Sequence, residues 1–186
     1  SEKKEVKDRQ VDVLVLVPTR ELAEQVKDVF HLFEKGVSHP VKTMAIYGGV
    51  SINPQMKSLF GISVLVATPG RLLDLFERGG LLLSDVKILV IDEADRMLDM
   101  GFIPDIEKIV TVIPKIRQTL FFSATMPPEI KRLADVFLLN PKEITVSPPS
   151  TLGTTISHNI VMIDHKAKRD LTGLQKKKRA VLRKLI

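Results

Sequence analysis

Cysteine and tryptophan are absent from the 186 residues, and tyrosine occurs once. The missing cysteine excludes a disulfide framework, a cysteine metal site and a cysteine nucleophile together, and agrees with a reducing compartment. Aromatic residues are few (eight Phe and the single Tyr), so a core has to be aliphatic. No apolar run approaches the roughly 18 to 20 residues of a membrane span. The polar start lacks a signal-peptide pattern. The expectation is a chain with no membrane partner, cytoplasmic, with a nuclear location left open. What remains is 44% apolar and 27% charged, the balance of a soluble globular protein with one full domain and not two.

An excess of charge of one sign is also lacking over most of the chain. Residues 166–186 carry nine Lys or Arg against Asp170 alone, a net +8, which leaves −2 for residues 1–165 out of the overall +6. A basic surface is therefore a property of the tail and not of the body.

Along the chain, residues 1–10 read as a polar lead-in, and Val11–Val17 as an apolar, β-branched strand of the kind buried on both faces of a parallel sheet. Leu22, Val26, Val29, Phe30 and Phe33 then recur at helical spacing, with Gly36 as a stop. Further strands are expected at 41–47, 62–67, 86–91, 118–122, 142–146 and 158–163. Helices are expected near 51–60, 69–78, 103–113 and 127–138. The alternation predicts an α/β fold, a mostly parallel sheet with helices on both faces. The Pro148-Pro149-Ser150 stretch reads as a linker. The expected division is a body over 11–147, a linker and strand over 148–165, and a basic helix over 166–186.

Folds of this class bind ligands beyond the carboxyl ends of their strands. Five polar motifs fall at such ends: Pro18-Thr19-Arg20, Gly48-Gly49, Thr68-Pro69-Gly70-Arg71, Asp92-Glu93-Ala94-Asp95 and Ser123-Ala124-Thr125. Asp92 and Glu93 have the character of a magnesium and phosphate site, because a hard cation takes carboxylate oxygen directly or through water and a second carboxylate can orient a water for attack. Acids at a helix start serve equally as capping groups. Thr19, Thr68, Ser123 and Thr125, with Arg20 and Arg71, form a set able to contact a phosphate backbone. Each alone reads as a cap or a solvated charge, and Gly48-Gly49 alone as a turn.

In order and spacing these five blocks, with Pro18-Thr19-Arg20 continuing as Glu21-Leu22-Ala23, resemble the DEAD-box ATP-dependent RNA helicases, from about residue 11 to 165 and weakly beyond. The resemblance implies a RecA-like P-loop NTPase fold, with ATP and Mg2+ as cofactors and RNA as partner, bound mainly by its sugar-phosphate backbone. It implies that Asp92 holds magnesium through water and that Glu93 positions the attacking water. Asp95 would bond to Ser123 and Thr125 and couple the nucleotide site to the RNA site. Pro18, Thr19, Arg20, Gly48, Gly49, Thr68, Gly70 and Arg71 would form the RNA track. The basic segment 166–186 is similar to the helix that opens the family's second domain.

The resemblance is incomplete. A P-loop needs Gly-x-x-x-x-Gly-Lys-Ser/Thr, and none of the ten glycines is followed by lysine. Loss of the P-loop strand is expected to remove a central strand and expose apolar edges. The intact remaining blocks favour an incomplete copy of a longer enzyme, itself inactive as an ATPase. The alternative is a non-catalytic RNA-binding or scaffolding relative that lost the P-loop. A flavodoxin-like or receiver domain also offers acids at strand ends, but accounts for neither the Ser-Ala-Thr nor the Pro-Thr-Arg-Glu-Leu block.

Overall fold

The computed structural model describes residues 10–34, 36 and 41–146. Backbone contacts divide the chain into two units, Ser1–Ile144 and Thr145–Ile186. The strand expected at 158–163 and the basic helix expected at 166–186 lie outside the described residues.

Five strands form one sheet: β1 (Val13–Leu16), β2 (Thr43–Ile46), β3 (Val64–Ala67), β4 (Ile88–Ile91) and β5 (Gln118–Phe121). Their order is β2-β3-β1-β4-β5, and every neighbouring pair is parallel. Leu14 sits opposite Leu65 on one side and Leu89 on the other. The apolar runs are explained by this position. β3 is buried along its whole length and β1 at all but its first residue, because both have strands on either side and cover on both faces.

Alternate residues of each strand feed two separate cores. Leu14, Leu16, Ile46, Leu65, Leu89 and Ile91 pack on the face that also buries residues of α3 (Pro69–Glu77), α4 (Ala94–Asp99), α5 (Ile103–Val112) and α6 (Pro128–Phe137). Val15, Val17, Ala45 and Val66 pack on the opposite face against Leu22, Ala23, Val26 and Phe30 of α1 (Arg20–Glu34). Helices thus cover both faces, as the alternation predicts. The short α2 (Ile52–Lys57) follows β2.

Two features depart from the expectations. Residues 142–146 form no strand. Ile144 and Val146 are 85% and 93% exposed, and no neighbouring backbone among the described residues offers them a ladder. The five described strands pair with one another without a gap. The sheet is open at one edge, where β5 has no further partner among the described residues and Leu120 and Phe122 are partly exposed. Finally, α4 is a six-residue helix begun by the acidic motif itself, too short to register as a helical period.

Candidate functional site

Because all five strands run parallel, the polar motifs that follow them share one edge of the sheet. Backbone bonds fix their spacing there. The Asp92 N–H donates to the Leu16 carbonyl at 3.0 Å, the Thr68 N–H to Ile46 at 3.0 Å, and the Ala94 N–H to Phe122 at 3.1 Å. Each strand end is therefore tied to its neighbour just where the chain turns away.

At the β4 end, Glu93 adopts left-handed backbone angles, φ 51° and ψ 50°. A non-glycine residue pays for this conformation, which recurs at functional turns. It lets the chain leave β4 and enter α4 at once. The Asp92 carboxylate accepts the Glu93 N–H through Oδ1 at 2.9 Å. Glu93 accepts Arg96 Nη1 through Oε2 at 3.2 Å, in a half-exposed ion pair.

Asp95 reaches across to the end of β5. Its Oδ2 accepts both the Thr125 N–H at 2.8 Å and the Thr125 hydroxyl at 2.7 Å. Its own N–H donates to Ser123 Oγ at 3.1 Å, and Ser123 Oγ donates onward to the Thr125 carbonyl at 2.7 Å. Burial pushes the Asp95 carboxyl up, but hydrogen bonds from the Thr125 hydroxyl and N–H, the Arg96 N–H and Ser123 together hold it below its ordinary range. The structure thus joins Asp95, Ser123 and Thr125 in one cyclic network.

The second half of the edge is an open cavity of about 570 Å³. All eight residues of the expected track, Pro18, Thr19, Arg20, Gly48, Gly49, Thr68, Gly70 and Arg71, line it. Their side chains have different occupations. Thr19 Oγ1 accepts the Leu22 N–H at 3.2 Å and so caps α1. Thr68 starts α3 without using its hydroxyl as a cap. The Arg20 guanidinium lies 4.9 Å from the centre of the Tyr47 ring, within cation–π range. The Arg71 side chain is only 9% exposed, with its guanidinium bonded to the Gln55 side chain and the Val50 carbonyl.

The sequence reading passed over Tyr47, Glu24 and Gln55. The Tyr47 hydroxyl donates to Glu24 Oε1 at 2.6 Å, which fixes the ring beneath Arg20. Lys27 also pairs with Glu24. Hydrogen bonds from Lys27 and then Tyr47 hold the Glu24 carboxyl below its usual range, and the bond to Glu24 pushes the Tyr47 phenol up. One signal was available, since Tyr47 is the chain's only tyrosine and directly precedes Gly48-Gly49. Nothing in the sequence marked Gln55.

Among the described residues no group of three His, Asp or Glu side chains could by itself enclose a metal ion. Asp92 as a lone carboxylate suits magnesium, which keeps several waters and binds through one or two carboxylates plus phosphate oxygens. No helix among the described residues is long and apolar enough to cross a membrane.

Comparison with known proteins agrees with this geometry. The family model described as DEAD/DEAH box helicase matches residues 2–133. The chain is 42% identical over 170 residues to the DEAD-box ATP-dependent RNA helicase CshA of Streptococcus pneumoniae, covering 91% of this chain and 32% of that protein. It is 50% identical over 135 residues to DEAD-box ATP-dependent RNA helicase 20 of Arabidopsis thaliana, covering 72% of this chain and 26% of that one. The crystal structure of a DEAD box protein from the hyperthermophile Methanococcus jannaschii superimposes with a TM-score of 0.67 at 44% identity, over 72% of this chain and 36% of that one. The chain spans between about a quarter and about a third of the length of these relatives. With its five strand-end motifs on one edge of a parallel sheet, and a family model matching most of its length, the chain belongs to the DEAD/DEAH box helicase family.

Proposed function

We propose that this chain is the portion of an ATP-dependent RNA helicase that lines the RNA track and carries the acidic catalytic motif. The whole protein would couple magnesium-ATP binding and hydrolysis to local unwinding or remodelling of RNA duplexes. One observation carries the reading: the eight track residues line a single cavity on the same sheet edge as Asp92 and Glu93. A track of hydroxyls, glycine N–H groups and one exposed arginine addresses sugar and phosphate, not base edges, so binding should be largely independent of sequence.

In this mechanism Asp92 would hold a magnesium ion, which would supply positive charge to the phosphate oxygens. Glu93 orients the attacking water as a general base. Its ion pair with Arg96 is half-exposed and weak, so the carboxylate can be released at small cost. Asp95, Ser123 and Thr125 link the turn that carries Glu93 to the end of β5, and this network is the coupling element between nucleotide and RNA.

The test measures phosphate release with magnesium, ATP and RNA. The 186-residue chain should be inactive, because no residue set in it can cradle the β- and γ-phosphates. In the longer polypeptide, with a Gly-Lys-Thr loop, Glu93→Gln should abolish turnover and spare nucleotide binding. Ser123→Ala with Thr125→Ala should spare much of the ATPase and damage unwinding. Equal loss of both activities in that double variant counts against the coupling role. RNA-stimulated turnover by the 186-residue chain itself, lost on Glu93→Gln, overturns its assignment as inactive alone. A second reading, a non-catalytic RNA-binding module, draws on the absence of any Gly-Lys pair. A natural start at Ser1 in the encoding gene decides for it.

A further inference from the structure

We propose that Gln55 and Arg71 form a positioning pair for the Gly48-Gly49 turn, and that Arg71 serves the track through this turn instead of meeting a phosphate. The proposal rests on the reading of the cavity as an RNA track.

The turn leaves β2 at Tyr47 and enters α2 after Ser51. Its two flanking carbonyls are both taken up by side chains from outside the turn. Gln55 of α2 donates Nε2 to the Tyr47 carbonyl at 3.3 Å. Arg71 of α3 donates Nη2 to the Val50 carbonyl at 2.8 Å. The two side chains are joined to each other, Arg71 Nη1 donating to Gln55 Oε1 at 3.0 Å. Gln55 and the Arg71 side chain are each about nine-tenths buried. A hydrogen-bonded bracket thus runs from α3 through α2 to both ends of the turn.

What the bracket holds needs holding. Gly49 has φ +81°, a conformation that glycine enters and leaves freely. Among the described residues no hydrogen bond takes up the N–H of Gly48 or Gly49, and a Cβ at either would meet nothing within 4 Å. These are two donors on open ground, which is what an approaching phosphate oxygen requires. Fixing them before the ligand arrives removes an ordering cost from binding. Arg71 is poorly placed to act directly, since Nη1 and Nη2 are already engaged and its Nε, which makes no hydrogen bond, lies 4.0 Å from the Asp74 carboxylate. Arg20, exposed above Tyr47, is the contrasting case.

The experiment uses the whole 186-residue chain, isotope-labelled, titrated with a short oligouridine across a salt series. Affinity is read from the amide signals of Gly48 and Gly49, so that the basic tail does not mask the track. Backbone order parameters are measured without RNA. In Gln55→Ala and in Arg71→Ala, order at Gly48–Val50 should fall from about 0.85 to below about 0.6 while the strands stay rigid. Each change should weaken binding about five- to tenfold with the salt slope unchanged, and the double variant should add little. Gln55→Glu, which keeps an acceptor for Arg71 and replaces the donor to Tyr47 with a carboxylate oxygen, should give an intermediate effect and guards against loss of fold.

A slope reduced by about 0.7 in Arg71→Ala, with turn order intact in Gln55→Ala, makes Arg71 a phosphate contact and overturns the proposal. Loss of turn order without loss of affinity also overturns it, provided Arg20→Ala does weaken binding. If Arg20→Ala leaves the affinity at Gly48 and Gly49 unchanged as well, the RNA-track reading itself fails, and the loss of turn order still establishes the bracket.

Discussion

Asp95 has two roles at once, and its hydrogen bonds explain how. Its N–H and its carboxylate both reach the Ser123–Thr125 segment, so one residue at the start of α4 fixes the end of β5. Because its folded pKa lies below the ordinary value, the ionised form contributes stability fully present above about pH 4 and lost as pH falls through the folded pKa. Thr125→Ala deletes the hydroxyl donor and keeps the N–H donor. It should therefore move the Asp95 pKa upward toward its ordinary value, but not the whole way. The carboxyl carbon shift of Asp95 followed through an acid titration measures this. A pKa unmoved in Thr125→Ala would show that the backbone bonds alone hold the carboxylate. The same variant should lose stability at neutral pH and much less below the folded pKa, where the wild-type advantage has itself disappeared.

At the scale of elements, the two sides of the sheet are unequally covered, and this sets where substitutions hurt. Leu65 on β3 is fully buried, whereas Leu120 on β5 is 38% exposed beside an open edge. Leu65→Ala should cost about 2–5 kcal/mol, and Leu120→Ala under about 1.5 kcal/mol, in urea unfolding of the same chain. Equal costs would mean that β5 is covered more fully than its exposure indicates. The inner strands were legible in sequence because burial on both faces leaves an unbroken apolar run, as in Val13–Leu16 and Val64–Ala67. The stretch 142–146 has the same local preferences but no ladder among the described residues, and a strand without a neighbour is not a strand. Helix α4 escaped notice because six residues hold fewer than two turns. The site divides in the same way. The strand-end position of the cavity-lining residues was legible in the sequence, while the bonds of Arg71 were not. Those bonds join residues 16 and 21 positions apart, through a buried glutamine whose burial only the packing of α2 reveals.

Over the whole molecule, charge and site are separated along the chain. The body, residues 1–165, sums to −2 and the segment 166–186 to +8, yet the track residues all lie in the body. Each phosphate neutralised by Lys or Arg on a single strand contributes about −0.7 to the slope of log affinity against log salt. With Arg71 engaged internally, the track offers Arg20 as its exposed cation. The total RNA affinity of the 186-residue chain should then be dominated by the tail, steep in salt and indifferent to sequence. The body alone should bind weakly, with a slope close to that of a single contact. Filter binding of single-stranded RNA by residues 1–186 and 1–165 over a salt series tests this, with Arg20→Ala made in each. Removing the tail should flatten the slope by several units, and Arg20→Ala should remove about 0.7 from whichever slope remains. A slope unchanged by loss of the tail, with binding abolished by Arg20→Ala, would put the affinity in the cavity. The hydrogen-bonding donors of the Gly48-Gly49 turn would then contribute more than the nine cations at the end of the chain.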